Sequence, residues 1–259
     1  MAFFSRTVET VGSTSVIKAL LFDTFGTTVD WLSSMTAHAE QIGAETGIAA
    51  DWAALVREWR AHYKPAIKPV REGKRPWIGF DELHREELNR IVKQFGAEEL
   101  SDADRDRLNH GWHELKAWPE VPPALHHLAK HFIIGSLSNG TTRQLIDIAR
   151  YAELPWNVVF GADMFRTYKP APEVYNGALA YLGLQPGEVL MVAAHNEDLE
   201  GAAKQGLKTC FVRRATEDPE PTGSFDYVVD DFEHLARTHA RHCLSITKSN
   251  GETPHGSAS

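Results

Sequence analysis

The sequence predicts an α/β fold: a doubly wound parallel sheet with a block of helices inserted after the first strand. Three observations predict it. Short apolar runs that read as buried strands alternate with helical patterns from residue 132 onward, as in βαβ units. No strand-like run occurs between residues 32 and 115, where helical spacing dominates. Polar, chemistry-bearing residues follow several of the strands, so right-handed crossovers would collect them on one edge.

The first strand is the stretch 16–22, in which only Lys18 is polar. It ends on Asp23, with Gly26, Thr27 and Thr28 behind it. A carboxylate at the end of a buried strand is costly unless something pairs with it or uses it. It can also simply cap the following turn. A helix is expected over 35–47. Asp51 then caps a helix whose Trp52, Leu55, Val56, Trp59 and Tyr63 recur at helical spacing, until Pro65, Pro69 and Pro76 interrupt it. Asp81 is expected to cap a helix reaching Phe95, stopped by Gly96, and Ser101 opens another.

Pro122 marks a helix start and that helix is expected to end near His131. The second strand, 132–137, runs into Ser138-Asn139-Gly140, and Thr141 or Thr142 opens the next helix. A third strand at 158–160 precedes Tyr168-Lys169-Pro170, and Pro172 starts a helix. Strands follow at 189–194, 209–212 and 227–229, with Asp231 capping a last helix.

Composition bounds the function. The chain has 259 residues, 42% hydrophobic and 24% charged, which suits a soluble globular protein with a sizeable core. A net charge of −8 gives a nucleic-acid partner no electrostatic support. The two cysteines, Cys210 and Cys243, make no metal or disulfide framework, so a reducing, cytoplasmic setting is the plainer reading. No apolar run reaches membrane-spanning length. Residues 1–15 are expected to form a flexible arm and 245–259 a disordered tail.

The strand ends deliver Asp23, then Ser138 and Asn139, then Lys169, then His195 and Asp198. Each has an ordinary reading: a helix cap for Ser138 and Asn139, a solvated loop lysine, a packed histidine, a first-turn carboxylate favoured by the helix dipole. Their convergence from four segments is the profile of a catalytic centre.

The stretches DTFGT, SLSNGTT, YKPAPEVY and VAAHNEDLEGA resemble, in order and spacing, the four motifs of the haloacid dehalogenase superfamily. The resemblance covers residues 16 to 235. It implies a Rossmann-like core over 16–31 and 116–244 and an inserted helical cap domain over 32–115. Most of that superfamily are phosphatases, which carry a second Asp two residues after the nucleophile and a magnesium-binding Asp opening the fourth motif. Here those positions are Phe25 and Ala194. A leaving group that needs neither a proton nor a metal is a halide. The resemblance is therefore closest to the L-2-haloacid dehalogenases, sometimes called type II, in which the position of Phe25 is also aromatic.

That resemblance implies hydrolysis of short 2-haloacids and haloacetates, fluoroacetate among them, through an aspartyl ester on Asp23, with no cofactor or metal. Arg60 matches the family's cap arginine at the departing halide and Asn139 its partner there. Thr27 and Ser138 match residues contacting the nucleophile or the substrate carboxylate. Lys169 and Asp198 match the polar network around nucleophile and water, with Tyr175 beside it. Where well-known members read Ser-Ser-Asn, this chain reads Ala193-Ala194-His195, and His195 is expected to be the general base for ester hydrolysis, poised near neutral pH, the alternative being that it only orients Asp198 or water. Tyr63 is expected to line the pocket; Trp77 and Phe80 read rather as core, as do Trp52, Trp59 and Trp112. A homodimer is a family-level expectation. A magnesium-dependent phosphatase and a catalytically idle binder of small carboxylates are the rival readings.

Overall fold

The computed structural model describes residues 16–238. The expectations for the arm at 1–15, for 239–244 and for the tail at 245–259 lie outside the described residues. Six strands form one sheet: β1 (Ala19–Phe22), β2 (Ile133–Ser138), β3 (Val158–Gly161), β4 (Val189–Ala193), β5 (Lys208–Val212) and β6 (Tyr227–Val229). Their order is β3-β2-β1-β4-β5-β6, and every neighbouring pair is parallel. The chain winds outward through β2 and β3, then returns to β4 on the other side of β1. That reversal makes the crevice between the carboxyl ends of β1 and β4 the topological switch point, where open α/β sheets bind ligands.

β1 is buried at every residue, which is why it reads as an unbroken apolar run. Leu20 and Phe22 face one apolar layer and Ala19 and Leu21 the other. A central strand covered on both sides holds the position of Asp23 firmly.

Between β1 and β2 lie α1 (Trp31–Thr46), α2 (Trp52–Arg71), α3 (Phe80–Ile91), α4 (Asp102–His110) and α5 (Val121–Leu128). α1 begins four residues earlier than the apolar spacing suggests, because the Asp30 side chain accepts from the Ser33 N–H. Gly47 ends it in the left-handed conformation at φ 74°. Asp51 caps α2 as expected, but the helix does not stop at Pro65 and Pro69 and runs on to Arg71. Each proline removes one backbone hydrogen bond, yet Ile67 and Val70 beyond them are buried in the core, and that burial holds the helix together. Asp81 does not cap α3. Gly79 occupies the cap position with no side-chain bond, and Asp81 instead accepts from His113 and Thr141. Ser101 caps α4. α5 ends at Leu128, short of His131, because its last turn loosens into turns before β2.

The remaining helices are α6 (Thr142–Tyr151), capped by Thr141, α7 (Pro172–Leu182) and α8 (Asn196–Lys204). Asp231 caps a final helical stretch from 232 by accepting from His234 N–H. No helix among the described residues is long and apolar enough to cross a membrane.

Candidate active site

Asp23 leaves β1 at the switch point and is 6% exposed. Its two oxygens are each held by two donors. Oδ1 takes Lys169 Nζ at 3.0 Å and Ser138 Oγ at 3.3 Å. Oδ2 takes Thr27 Oγ1 at 3.0 Å and faces His195 Nδ1 at 3.1 Å. The Thr27 hydroxyl also accepts the Ala194 N–H at 3.0 Å, which directs its own proton at Asp23. Burial alone would raise the Asp23 carboxyl, but Lys169 and His195 outweigh it and hold it well below the usual carboxylate range.

Lys169 bridges two carboxylates, Asp23 and Asp198. Burial works against its charge, and the two carboxylates more than restore it. Asp198, in the first turn of α8, is pushed up by burial while Lys169 opposes that, and it accepts from Tyr175 Oη at 2.8 Å. Burial together with Asp198 keeps the Tyr175 phenol protonated, so it serves as a donor. Asn139 accepts the Lys169 N–H at 2.7 Å on its Oδ1.

A cavity of about 450 Å³ opens over this centre, lined among others by Asp23, Phe25, Arg60, Tyr63, Asn139 and Lys169. Arg60 comes from α2, with its guanidinium 5.6 Å from the Phe25 ring centre and 4.9 Å from that of Tyr63. Arg60 Nη1 is buried and has no hydrogen-bond partner among the described residues. The Tyr63 hydroxyl faces the Asn139 amide without a hydrogen bond of good geometry. Phe25 stacks on Phe80 at 4.9 Å, which fixes its face toward Arg60. Farther out along α2, Lys64, Lys68 and Arg71 continue the cationic lining.

All eleven residues singled out in the sequence meet at this centre: Asp23, Phe25, Thr27, Arg60, Tyr63, Ser138, Asn139, Lys169, Tyr175, His195 and Asp198. Phe80, Trp52, Trp59 and Trp112 are buried core, while Trp77 packs at a tilt against Tyr168 away from the cavity.

The surroundings of one residue differ from what the sequence suggests. Both ring nitrogens of His195 face carboxylates, which works against a base poised near neutral pH: Nδ1 faces Asp23, and Nε2 stands 2.8 Å from Glu217 Oε2. Burial disfavours the imidazolium, but the two carboxylates outweigh it and push the pKa up to about 9. Glu217 was not legible in the sequence. It sits in the irregular stretch between β5 and β6, in an acidic run with no period and no motif. Only the fold brings it within reach.

A divalent cation does not fit this donor set. A magnesium ion wants several hard oxygens in octahedral array. Both Asp23 oxygens are already engaged by cationic or hydroxyl donors, and a second carboxylate is missing where Ala194 stands.

The family model described as haloacid dehalogenase-like hydrolase matches residues 17–206. A crystal structure of a defluorinating L-2-haloacid dehalogenase superposes with a TM-score of 0.82 at 38% identity, over 86% of this chain and 94% of that one. The structure of another L-2-haloacid dehalogenase superposes with a TM-score of 0.83, also at 38% identity, over 87% of this chain and 99% of that one. The (S)-2-haloacid dehalogenase 1 of Pseudomonas sp. strain CBS-3 is 30% identical over 207 residues, 79% of this chain and 88% of that protein.

Proposed function

The chain belongs to the haloacid dehalogenase-like hydrolases, and from that premise we propose that it hydrolyses the carbon–halogen bond of short 2-haloalkanoic acids, through an ester on Asp23 and without a metal. One relationship supports this most directly: an ionised nucleophile and an arginine whose buried Nη1 has no hydrogen-bond partner among the described residues line the same cavity. The Asp23 carboxylate attacks the carbon bearing the halogen in line, the carbon–halogen bond breaks, and the halide leaves toward Arg60 and Asn139. Displacement inverts that carbon. Water then adds to the ester carbonyl of Asp23, one of its protons passes to the Asp198 carboxylate and on to the departing alkoxide, and the 2-hydroxy acid leaves while the second proton goes to solvent and Asp23 is regenerated as a carboxylate. Lys169 holds Asp23 ionised and Asp198 in place.

In this reading residues 32–115 form the cap that bounds the cavity. Phe25 cannot protonate an alkoxide, and that disfavours a phosphatase. The cavity has room for side chains longer than a haloacetate's.

The experiment is halide release from chloro-, bromo- and fluoroacetate and from both enantiomers of 2-chloropropionate, with EDTA present and Asp23→Asn as control. Release from the L-enantiomer that survives EDTA and vanishes in the variant is expected. No release from any of these substrates, or release that EDTA abolishes, would overturn the reading.

A further inference from the structure

Glu217 is a buried carboxylate that the reaction above does not use. Its side chain is 7% exposed, and each of its oxygens is committed. Oε1 accepts Trp31 Nε1 at 2.7 Å and the Thr216 hydroxyl at 3.1 Å. Oε2 is thereby aimed at His195 Nε2. The segment that carries it is pinned to the start of α8. Asp218 accepts the Asn196 N–H at 2.7 Å, Asn196 Nδ2 donates to Glu220 O at 3.0 Å, and Thr222 N–H donates to Asn196 Oδ1 at 2.8 Å. The motif behind the nucleophile leaves space for it: Gly26, at φ 82°, packs directly against the Glu217 carboxyl. These contacts from α1, α8 and the turn after β1 make a built site for one carboxylate.

The protonation of His195 follows from geometry. An ionised carboxylate only accepts. Asp23 on Nδ1 and Glu217 on Nε2 therefore each require a ring N–H, and the ring is an imidazolium. The charged groups around it are Asp23 and, beyond Asp23, Lys169 at the sheet edge, Glu217 in the β5–β6 segment, and Arg60 from α2, whose field also reaches Glu217.

Alkylation changes this balance. If Oδ1 of Asp23 forms the ester, Oδ2 becomes the carbonyl oxygen and the Asp23 charge is gone. Glu217 is then the one carboxylate still bound to His195. We propose that Glu217 is a positioning residue that keeps His195 an imidazolium in the ester state. Its Nδ1–H, with the Thr27 hydroxyl, then forms the oxyanion hole for ester hydrolysis. Water oxygen bonds to Asp23 Cγ, and the carbonyl electron pair moves to Oδ2, where the two donors receive it. As the intermediate collapses, the Cγ–O bond to the product breaks, the proton held on Asp198 returns to the departing alkoxide, and the second proton of the water leaves the Asp23 carboxyl for solvent, which restores the carboxylate. His195 keeps both of its protons throughout. This assignment rests on the aspartyl-ester reading.

The test separates the two half-reactions. Wild type and Glu217→Gln are mixed with bromoacetate in single turnover from pH 6 to pH 10, with bromide release reporting ester formation and intact mass reporting loss of the Asp23 adduct. Both enzymes are expected to form the adduct. The alkaline fall in adduct hydrolysis is expected to move down by at least one pH unit in the variant, while a purely structural defect would lower the rate at every pH alike. Coincident pH profiles would overturn the proposal; a wild type that forms no adduct would instead overturn the ester reading. Should Glu217→Gln fail to fold, ¹⁵N-histidine spectra of wild type at pH 7.5, with His195 assigned by its loss in His195→Asn, still decide. Two protonated ring nitrogens are expected, and a neutral ring overturns the proposal.

Discussion

Gly26 and Glu217 are packed so closely that a Cβ on residue 26 would lie 2.2 Å from the Glu217 carboxyl carbon. Gly26 also sits at φ 82°, where an L side chain adds strain of about 1–2 kcal/mol. Overpacking adds about 1–3 kcal/mol. Gly26→Ala is therefore expected to lower the melting temperature and to swing Glu217 off His195. Adduct hydrolysis should then slow more than adduct formation, as intact mass after bromoacetate would record. An equal slowing of both steps would count against the contact as the cause.

Lys169 neutralises two buried carboxylates at once. Lys169→Met leaves Asp23 and Asp198 facing each other, at a cost of about 3–5 kcal/mol in urea unfolding. The depressed Asp23 pKa contributes stability that is present above the ordinary value of 3.8 and lost as pH falls through its folded value. Without the ammonium that folded value rises, so the acid limb of adduct formation should move to higher pH, with a rate loss of about 10²-fold or more at its best pH. An unmoved acid limb would show that His195 alone sets the charge of Asp23.

Arg60 has a buried Nη1 with no hydrogen-bond partner among the described residues, set over aromatic faces that a point charge would use poorly. Arg60→Lys is expected to slow halide release by about 10²-fold, and more for fluoride than for bromide, since fluoride leaves less readily. Adduct hydrolysis should stay near the wild-type rate. Quenched-flow release compared with adduct decay distinguishes the two, and a uniform loss across halides would remove Arg60 from the leaving-group role.

His84 is buried and stacks on Phe80 at 3.9 Å, with neither ring nitrogen hydrogen-bonded among the described residues. Burial, reinforced by Arg60, holds its pKa well below the ordinary 6.5. The unfolded chain therefore takes up a proton below that pH while the folded one does not, and stability falls by up to about 1.4 kcal/mol per pH unit. His84→Phe should keep the stack and flatten this loss. Urea unfolding at pH 7.5 and pH 5.5 measures it, and identical pH slopes for both proteins would refute the assignment.

The sheet and the central site were legible because their signals are local. Phe22 and its neighbours form an unbroken apolar run because β1 is covered on both faces, and Asp23 stands out as the charge that ends it. Thr141 is legible as a cap because its hydroxyl bonds within its own turn. What was not legible depends on distant partners. Pro65 and Pro69 look like breaks until Ile67 and Val70 are seen in the core. Asp81 looks like a cap until His113 claims its carboxylate. Glu217 has no pattern around it, and its partner Trp31 is 186 residues away in the chain.

The strand order puts β1 at the centre of the sheet, with α2 arising from the chain before β2 and the Glu217 segment from the chain after β5. In the proposed reaction Arg60 of the former receives the leaving group together with Asn139, and the ester is opened with help from the latter. The two half-reactions thus have separate regulators, in pieces of chain that share no hydrogen bond with each other among the described residues. A change of halogen could be accommodated by altering α2 without touching the β5–β6 segment, and a slow turnover could be relieved from the β5–β6 side without touching α2. The nucleophile, fixed at the middle of a covered sheet, would stay constant through both.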